Sequence, residues 1–195
     1  RHVGRDDGVG TDEQHLGHGG HARTVARVGR GIEAACYTID RYMRISRPPW
    51  NRSLPTQDGW PLAVWGQAPE GKPRAVVQIL HGLAEHAGRY HRFGEALVAA
   101  GFAVIAHDHR GHGASVRSEE DRGHFADEDG FSKAVEDAAA VAQLARDTWP
   151  GVPLVLFGHS MGSTLAVHLL RRRSRDYVAA VLSGSNVDRD VFAKV

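Results

Sequence analysis

The run Gly158-His159-Ser160-Met161-Gly162 puts a serine between two glycines at the spacing of a sharp turn. Val152, Leu154, Val155, Leu156 and Phe157 come before it, around Pro153, as a short apolar run that predicts a buried strand. Leu165 and Leu169 follow one helical turn apart, and Gly162 and Ala166 are small enough to pack on a sheet. A serine at such a strand-to-helix joint is presented for nucleophilic attack on a carbonyl. Side chains at the two glycine positions would collide with the neighbouring strand and helix. The helix that follows turns free N–H groups toward the same spot, which favours developing negative charge. Ser160 is the candidate nucleophile, and Gly158, His159 and Gly162 shape its turn. The bare spacing also suits a serine that merely caps a helix; the strand before and the helix after favour the nucleophile.

Acyl transfer needs two N–H donors aimed at the oxyanion. Met161, the residue after the nucleophile, supplies one. The second is expected from the loop His81-Gly82-Leu83-Ala84-Glu85-His86, which follows another apolar strand, Ala75–Leu80. Gly82 lets the backbone approach, His81 helps shape the loop, and the Leu83 N–H is the candidate donor. Alone, this loop reads equally well as a connection that needs a glycine; beside the Ser160 turn, the oxyanion reading prevails.

Asp108-His109-Arg110-Gly111-His112-Gly113 follows a third strand. Asp108, His109 and His112 invite a metal-site or general-base reading. Arg110 among them would repel a cation, so a tight loop held by charge-assisted hydrogen bonds is expected instead. Gly123-His124-Phe125 with Asp127 reads as another shaped loop. No metal and no cofactor is expected. His15, His18 and His21 recur at three-residue spacing, but Gly17, Gly19 and Gly20 make a helix there poor. They read as a flexible His-rich tail.

The elements that position these residues alternate. Asp58-Gly59 marks a turn and Trp60–Trp65 alternates as a half-buried strand. Ala75–Leu80 and Phe102–Ala106 are strands. Tyr90, Phe93 and Leu97 keep helical spacing, and Gly101 is placed to end that helix. Phe131, Val135, Ala138, Ala139 and Ala142 mark a long amphipathic helix closed by Trp149-Pro150-Gly151. Arg171-Arg172-Arg173 ends the helix after Ser160, and Tyr177–Leu182 is a further strand. Such alternation predicts an α/β fold: a mostly parallel sheet with helices on both faces, its site beyond the carboxyl ends of the strands.

Length and composition allow one domain with a proper core, 195 residues with 42% hydrophobic and 24% charged. A formal net charge of +1 gives no drive toward nucleic acid. Cys36 is the single cysteine, so a disulfide framework is excluded and a reducing, cytoplasmic setting is expected. No apolar run reaches membrane-spanning length. Residues 1–47 are rich in Gly, His and Arg, and the stretch Thr24–Ile45 has no clean apolar face. They are expected to be a disordered tail, or non-native sequence translated ahead of a start at Met43, with the domain occupying 48–195.

Together, His81-Gly82-x-x-Glu85-His86-x-x-Arg89-Tyr90, Asp108-His109-Arg110-Gly111-His112-Gly113, Gly123-His124-Phe125 and Gly158-His159-Ser160-Met161-Gly162 resemble the monoacylglycerol lipase and lysophospholipase branch of the α/β-hydrolase fold. The motifs stand in that branch's order and spacing from about residue 53 onward. The resemblance implies a serine hydrolase that cuts single-chain acyl esters without metal or cofactor. It implies Ser160 as nucleophile and Leu83 and Met161 as oxyanion donors. It also implies an acid, a base and a lid after the strand that follows the nucleophile helix.

Ser160 needs a base, and the base an orienting acid. His168 is the only later histidine; eight residues along the same helix, it stands about 12 Å away and is not the base. Asp176, Asp188 and Asp190 are followed by no histidine. The triad Asp and His are therefore expected outside this sequence. The chain reads as an N-terminal fragment of an α/β-hydrolase, inactive when made alone. The expected substrate is a monoacylglycerol or lysophospholipid-like ester, with transient membrane-surface contact through a lid absent from this chain. Esterase, thioesterase or peptidase chemistry on the same elbow is the alternative, as is a non-catalytic binding protein. Dehalogenase and epoxide hydrolase chemistry is disfavoured, since those relatives attack with an Asp where Ser160 stands.

Overall fold

In the computed structural model residues 49–185 are described. The expected extension over 1–47, with His15, His18, His21 and Cys36, lies outside the described residues, as do Asp188 and Asp190. Six strands are β1 (Trp50–Pro55), β2 (Pro61–Gln67), β3 (Val76–Leu80), β4 (Ala103–His107), β5 (Leu154–His159) and β6 (Ala179–Ser183). Three α-helices are α1 (His91–Ala99), α2 (Gly130–Thr148) and α3 (Met161–Arg173). The strands form one sheet in the order β1-β2-β4-β3-β5-β6. β4, β3, β5 and β6 run parallel, while β2 is antiparallel to β4 and to β1.

Period-two alternation sorts the strand residues onto two cores. Val76 and Leu80 of β3, Ile105 of β4 and Leu154 and Leu156 of β5 meet Ala138 and Ala142 of α2 and Leu165 and Leu169 of α3. Val77, Ile79, Val104 and Ala106 face the other way, against Val98 of α1. Burying each of the larger of these side chains stabilises by about 1.5–3 kcal/mol. The helices thus cover both faces, as the alternating pattern predicts.

The helix ends follow local chemistry. Gly101, at φ +87°, closes α1 in a Schellman arrangement: its N–H reaches Val98 O at 2.9 Å and the Phe102 N–H reaches Leu97 O at 3.0 Å. α1 sets Leu97 against the second core, beside Tyr90 just before the helix, as their spacing predicts. Gly94 and Val98 are its buried residues and Phe93 is exposed. Gly94 meets Trp65: a Cβ at Gly94 would lie 2.7 Å from its indole ring, so the helix backbone sits directly on the sheet there.

Two further differences have physical reasons. Trp60 precedes β2, and alternation ends at Val64 because both faces of the strand are then covered. β1 escapes pattern reading because it is a mostly exposed edge strand bounded by prolines. Gln78, fully buried in central β3, is satisfied across the core. It donates to Ala138 O at 2.7 Å and accepts from Tyr177 Oη at 2.7 Å.

The two edges of the sheet differ. β1 carries Arg52 and Pro55, which discourage edge pairing. β6 carries no charge and no proline; its Val181 and Leu182 are exposed, as is Val178 just before it. The 195-residue chain is expected to self-associate in the micromolar range, and Val181→Lys to shift it toward monomer. Sedimentation velocity checks this: a parent chain that stays monomeric at those concentrations contradicts it.

Candidate active site

β5 delivers Ser160 to the carboxyl end of the sheet, and α3 begins at the next residue. Ser160 has φ 50° and ψ −117°, a conformation that costs a non-glycine residue on the order of 1–3 kcal/mol. The neighbours enforce it. A Cβ at Gly158 would lie 2.5 Å from Gly162 O, and one at Gly162 would collide with the carbonyls of Leu80 and His81. The turn is pinned from outside, since the Ser160 N–H donates to Ser183 O at 2.9 Å. It is pinned from inside too: Ser163 Oγ donates to Ser160 O at 2.6 Å.

The structure brings the β3 loop against this turn. A Cβ at Gly82 would lie 3.3 Å from both Ser160 Cβ and His159 Cδ2. Together with Glu85 Oε1 at 2.9 Å, these neighbours leave Gly82 little room for a side chain. Met161 is buried at the start of α3, whereas Leu83 is 63% exposed on the rim. Ala84, at φ 55°, completes the loop's sharp bend. His159 lies between the loop and β6, its Nδ1 3.2 Å from Ser183 Oγ. Ser160, Leu83, Met161, Gly82 and His159 therefore share one locus.

Glu85 closes the loop. Its Oε1 accepts the Gly82 N–H and, at 2.7 Å, the Tyr90 hydroxyl, with Arg89 Nε 3.5 Å from Oε2. Burial pushes the carboxyl up, but the bonds from Tyr90 and Gly82 outweigh it and hold Glu85 below its ordinary value. The same contacts and burial push the Tyr90 hydroxyl well up.

The Asp108–Gly113 loop is structural, as its composition predicts. Asp108 accepts the Ala87 N–H at 2.7 Å and the Ala114 N–H at 2.8 Å. Arg110, 1% exposed, forks onto Asp137 at 2.6 and 2.8 Å and onto Asp58 at 3.0 and 3.2 Å. Hydrogen bonding from Arg110 holds the Asp58 carboxyl far below its usual range. Among the described residues no group of three or more His, Cys, Asp or Glu is arranged to hold a metal. His124 pairs with Asp127 at 3.1 Å on the surface.

A cluster of buried histidines stands behind the site. His81, His107 and His109 are fully buried, with His81 and His109 ring centroids 4.0 Å apart. Burial lowers His81 to about 4 and His107 to about 3, and takes His109 well below its ordinary value. Sequence draws attention to His81 and, in the loop after β4, to His109; the company they keep depends on β3 and β4 being sheet neighbours. Unfolded, these rings bind protons near pH 6.5, while folded they stay neutral, so the unfolded state gains protons first and stability falls with pH. The urea midpoint of the chain is expected to drop steadily from pH 6.5 toward pH 4, each ring contributing up to about 1.4 kcal/mol per pH unit. A midpoint that stays flat between pH 6.5 and 5 contradicts this.

No imidazole and no carboxylate among the described residues is hydrogen-bonded to Ser160 Oγ. His168 packs edge-on to Phe131 of α2 with ring centroids 5.0 Å apart, and Asp176 pairs with Arg146 at 3.3 Å. No helix among the described residues is long and apolar enough to cross a membrane.

Comparison with known proteins adds to this geometry. A family model described as serine aminopeptidase, S33, matches residues 71–193. A monoacylglycerol lipase from Mycolicibacterium smegmatis is 42% identical over 125 residues, covering 64% of this chain and 42% of its own length. A monoglyceride lipase from Homo sapiens is 35% identical over 114 residues, covering 58% of this chain and 36% of its own. Among solved structures, a thermostable carboxyl esterase from Bacillus coagulans superposes with a TM-score of 0.65 at 29% identity, covering 70% of this chain and 44% of that one. The chain thus spans about two fifths of the length of the curated relatives it matches.

Proposed function

The chain belongs to the serine aminopeptidase S33 family of α/β-hydrolases, and from that premise we propose that it is the nucleophile-bearing part of a serine carboxylic ester hydrolase. Its substrate is a monoacylglycerol or lysophospholipid-like single-chain acyl ester. The observation that carries the reading is Ser160 itself: a strained, pinned serine with a glycine-opened loop packed against it. The lipase relatives support the substrate class, and the exposed Leu83 side chain offers an apolar rim for an acyl chain.

In this mechanism Ser160 Oγ attacks the acyl carbonyl carbon and gives its proton to a general base. The Leu83 and Met161 N–H groups hold the oxyanion. The intermediate collapses, the alcohol leaves with that proton, and an acyl-enzyme remains. Water, deprotonated by the same base, attacks the acyl carbon and releases the fatty acid and Ser160. The base and its orienting acid come from residues outside the present sequence, as does the lid that makes transient membrane-surface contact. Cytoplasmic placement, inferred from the lone Cys36, belongs to the same proposal.

Peptidase or thioesterase chemistry is the second reading, favoured by the description of the family model. Non-catalytic binding is the third, favoured by the lack of a base hydrogen-bonded to Ser160 among the described residues. One assay separates them: matched acyl ester, thioester and aminoacyl amide substrates given to the gene product that includes the acid and base. Preferential turnover of monoacylglycerol, lost in Ser160→Ala, supports the proposal. Faster amide turnover, or none at all, overturns it.

A further inference from the structure

One peptide unit joins Gly82 to Leu83, and it carries both the Gly82 carbonyl and the Leu83 N–H. A trans peptide is planar with these two groups opposed, so whatever holds the carbonyl also aims the N–H. His81 Nδ1 lies 2.8 Å from that carbonyl. A carbonyl oxygen only accepts, so Nδ1 carries the proton. The other ring nitrogen, Nε2, accepts the main-chain N–H of His109 at 2.9 Å. A backbone amide has no tautomer and always donates, so Nε2 must keep its lone pair. The proton position on His81 is therefore dictated from the end of β4.

The ring of His109 braces this arrangement. Its Nε2 lies 3.1 Å from His81 O and must donate there. In the neutral ring Nδ1 is then an acceptor, and it takes the Nε2–H of His107 at 3.2 Å. His107 Nδ1 is left as a buried lone pair with no partner. A proton there would be an unsatisfied buried donor, so the chain of rings has one self-consistent proton arrangement. On the other side of Gly82, its own N–H is held by Glu85 Oε1. Both peptides flanking Gly82 are thus fixed, while Gly82 itself rests against Ser160.

Resting on the reading of the Leu83 N–H as an oxyanion donor, we propose that His81 is the positioning residue that aims it. The main-chain amide of His109, braced by the His109 and His107 rings, locks the His81 tautomer that makes this possible. A plain structural staple between the two loops needs only some polar bridge. The positioning role needs a donor at the Nδ1 place, which in a neutral histidine requires a bare acceptor at Nε2.

Two measurements test this. The first is imidazole 15N–1H correlation NMR on the intact 195-residue chain at pH 7, where no catalysis is needed. His81 is expected neutral with its proton on Nδ1, and His107 and His109 neutral with theirs on Nε2. A His81 proton on Nε2, or a charged ring, overturns the proposal. The second compares His81→Asn, whose amide nitrogen falls near Nδ1, with His81→Gln, whose amide nitrogen falls near Nε2, in the gene product that includes the acid and base. His81→Gln is expected to lower kcat by roughly 10²–10³-fold with KM little changed, the loss of one oxyanion donor. His81→Asn is expected to recover most of that loss, and equal losses in the two folded variants overturn the proposal. If the parent protein hydrolyses nothing, the hydrolase reading fails by itself, and the NMR result still decides the tautomer lock.

Discussion

In the gene product that includes the acid and base, replacing Ser160 by alanine is expected to lower kcat/KM for ester hydrolysis by on the order of 10⁴–10⁶, the loss seen when a triad nucleophile is removed. Folding should survive, because Ser160 Oγ holds no bond that the turn depends on. The turn is held by the Ser160 main chain, through its N–H to Ser183 O, and by Ser163 Oγ to Ser160 O. Alanine inherits the same positive φ and the same strain. Ser160→Gly removes the strain with the hydroxyl, so it should be equally inactive yet more stable, by about 1 kcal/mol. Steady-state kinetics with parallel urea titrations check both parts. Substantial turnover in Ser160→Ala contradicts the assignment, and a Ser160→Gly variant less stable than its parent contradicts the strain argument.

Replacing Arg110 by alanine is expected to destabilise the domain by about 3–5 kcal/mol, the penalty for leaving a buried partner's charge uncompensated. That is a large share of the 5–15 kcal/mol typical of a domain. Arg110 is the hub of its region. Its guanidinium forks onto Asp137 of α2, reaches Asp58 in the β1–β2 turn and touches Phe125 O at 3.4 Å. It also stacks over Trp60 at 5.3 Å. The variant orphans Asp137, which is 3% exposed, among apolar side chains. The double variant Arg110→Met with Asp137→Leu is expected to recover most of the loss, since neither charge is then left alone. Urea unfolding measures the cycle. A single-variant loss under 1 kcal/mol, or a double variant worse than the sum, contradicts this account.

The tight turn at Ser160 is legible in sequence because its demands are local. Gly158 and Gly162 are required by atoms within one turn of chain and by the β3 carbonyls directly beneath, so residue type and spacing carry the information. The α/β alternation was legible for the same reason, since each strand and helix declares its own period. Partnerships across the sheet were not. Arg110 announced a charge-assisted loop, but its partner Asp137 lies 27 residues away on a helix. Gln78 lies in an otherwise apolar strand, and its partners on α2 and at Tyr177 meet it from two distant parts of the chain. The histidine chain needs β3 and β4 side by side, and nothing in the spacing of His81, His107 and His109 states that. The seat of α1 on Trp65 is hidden in the sequence because it rests on Gly94, which no hydrophobic scale rewards.

The central claim is that Ser160 is the nucleophile of a serine hydrolase. Its most direct test is covalent: treat the gene product that includes the acid and base with a fluorophosphonate and map the adduct by peptide mass spectrometry. The expected result is a single phosphonylated residue, Ser160, formed quickly and absent from Ser160→Ala. An adduct on another serine, or ester turnover that continues while Ser160 stays unmodified, would contradict the claim.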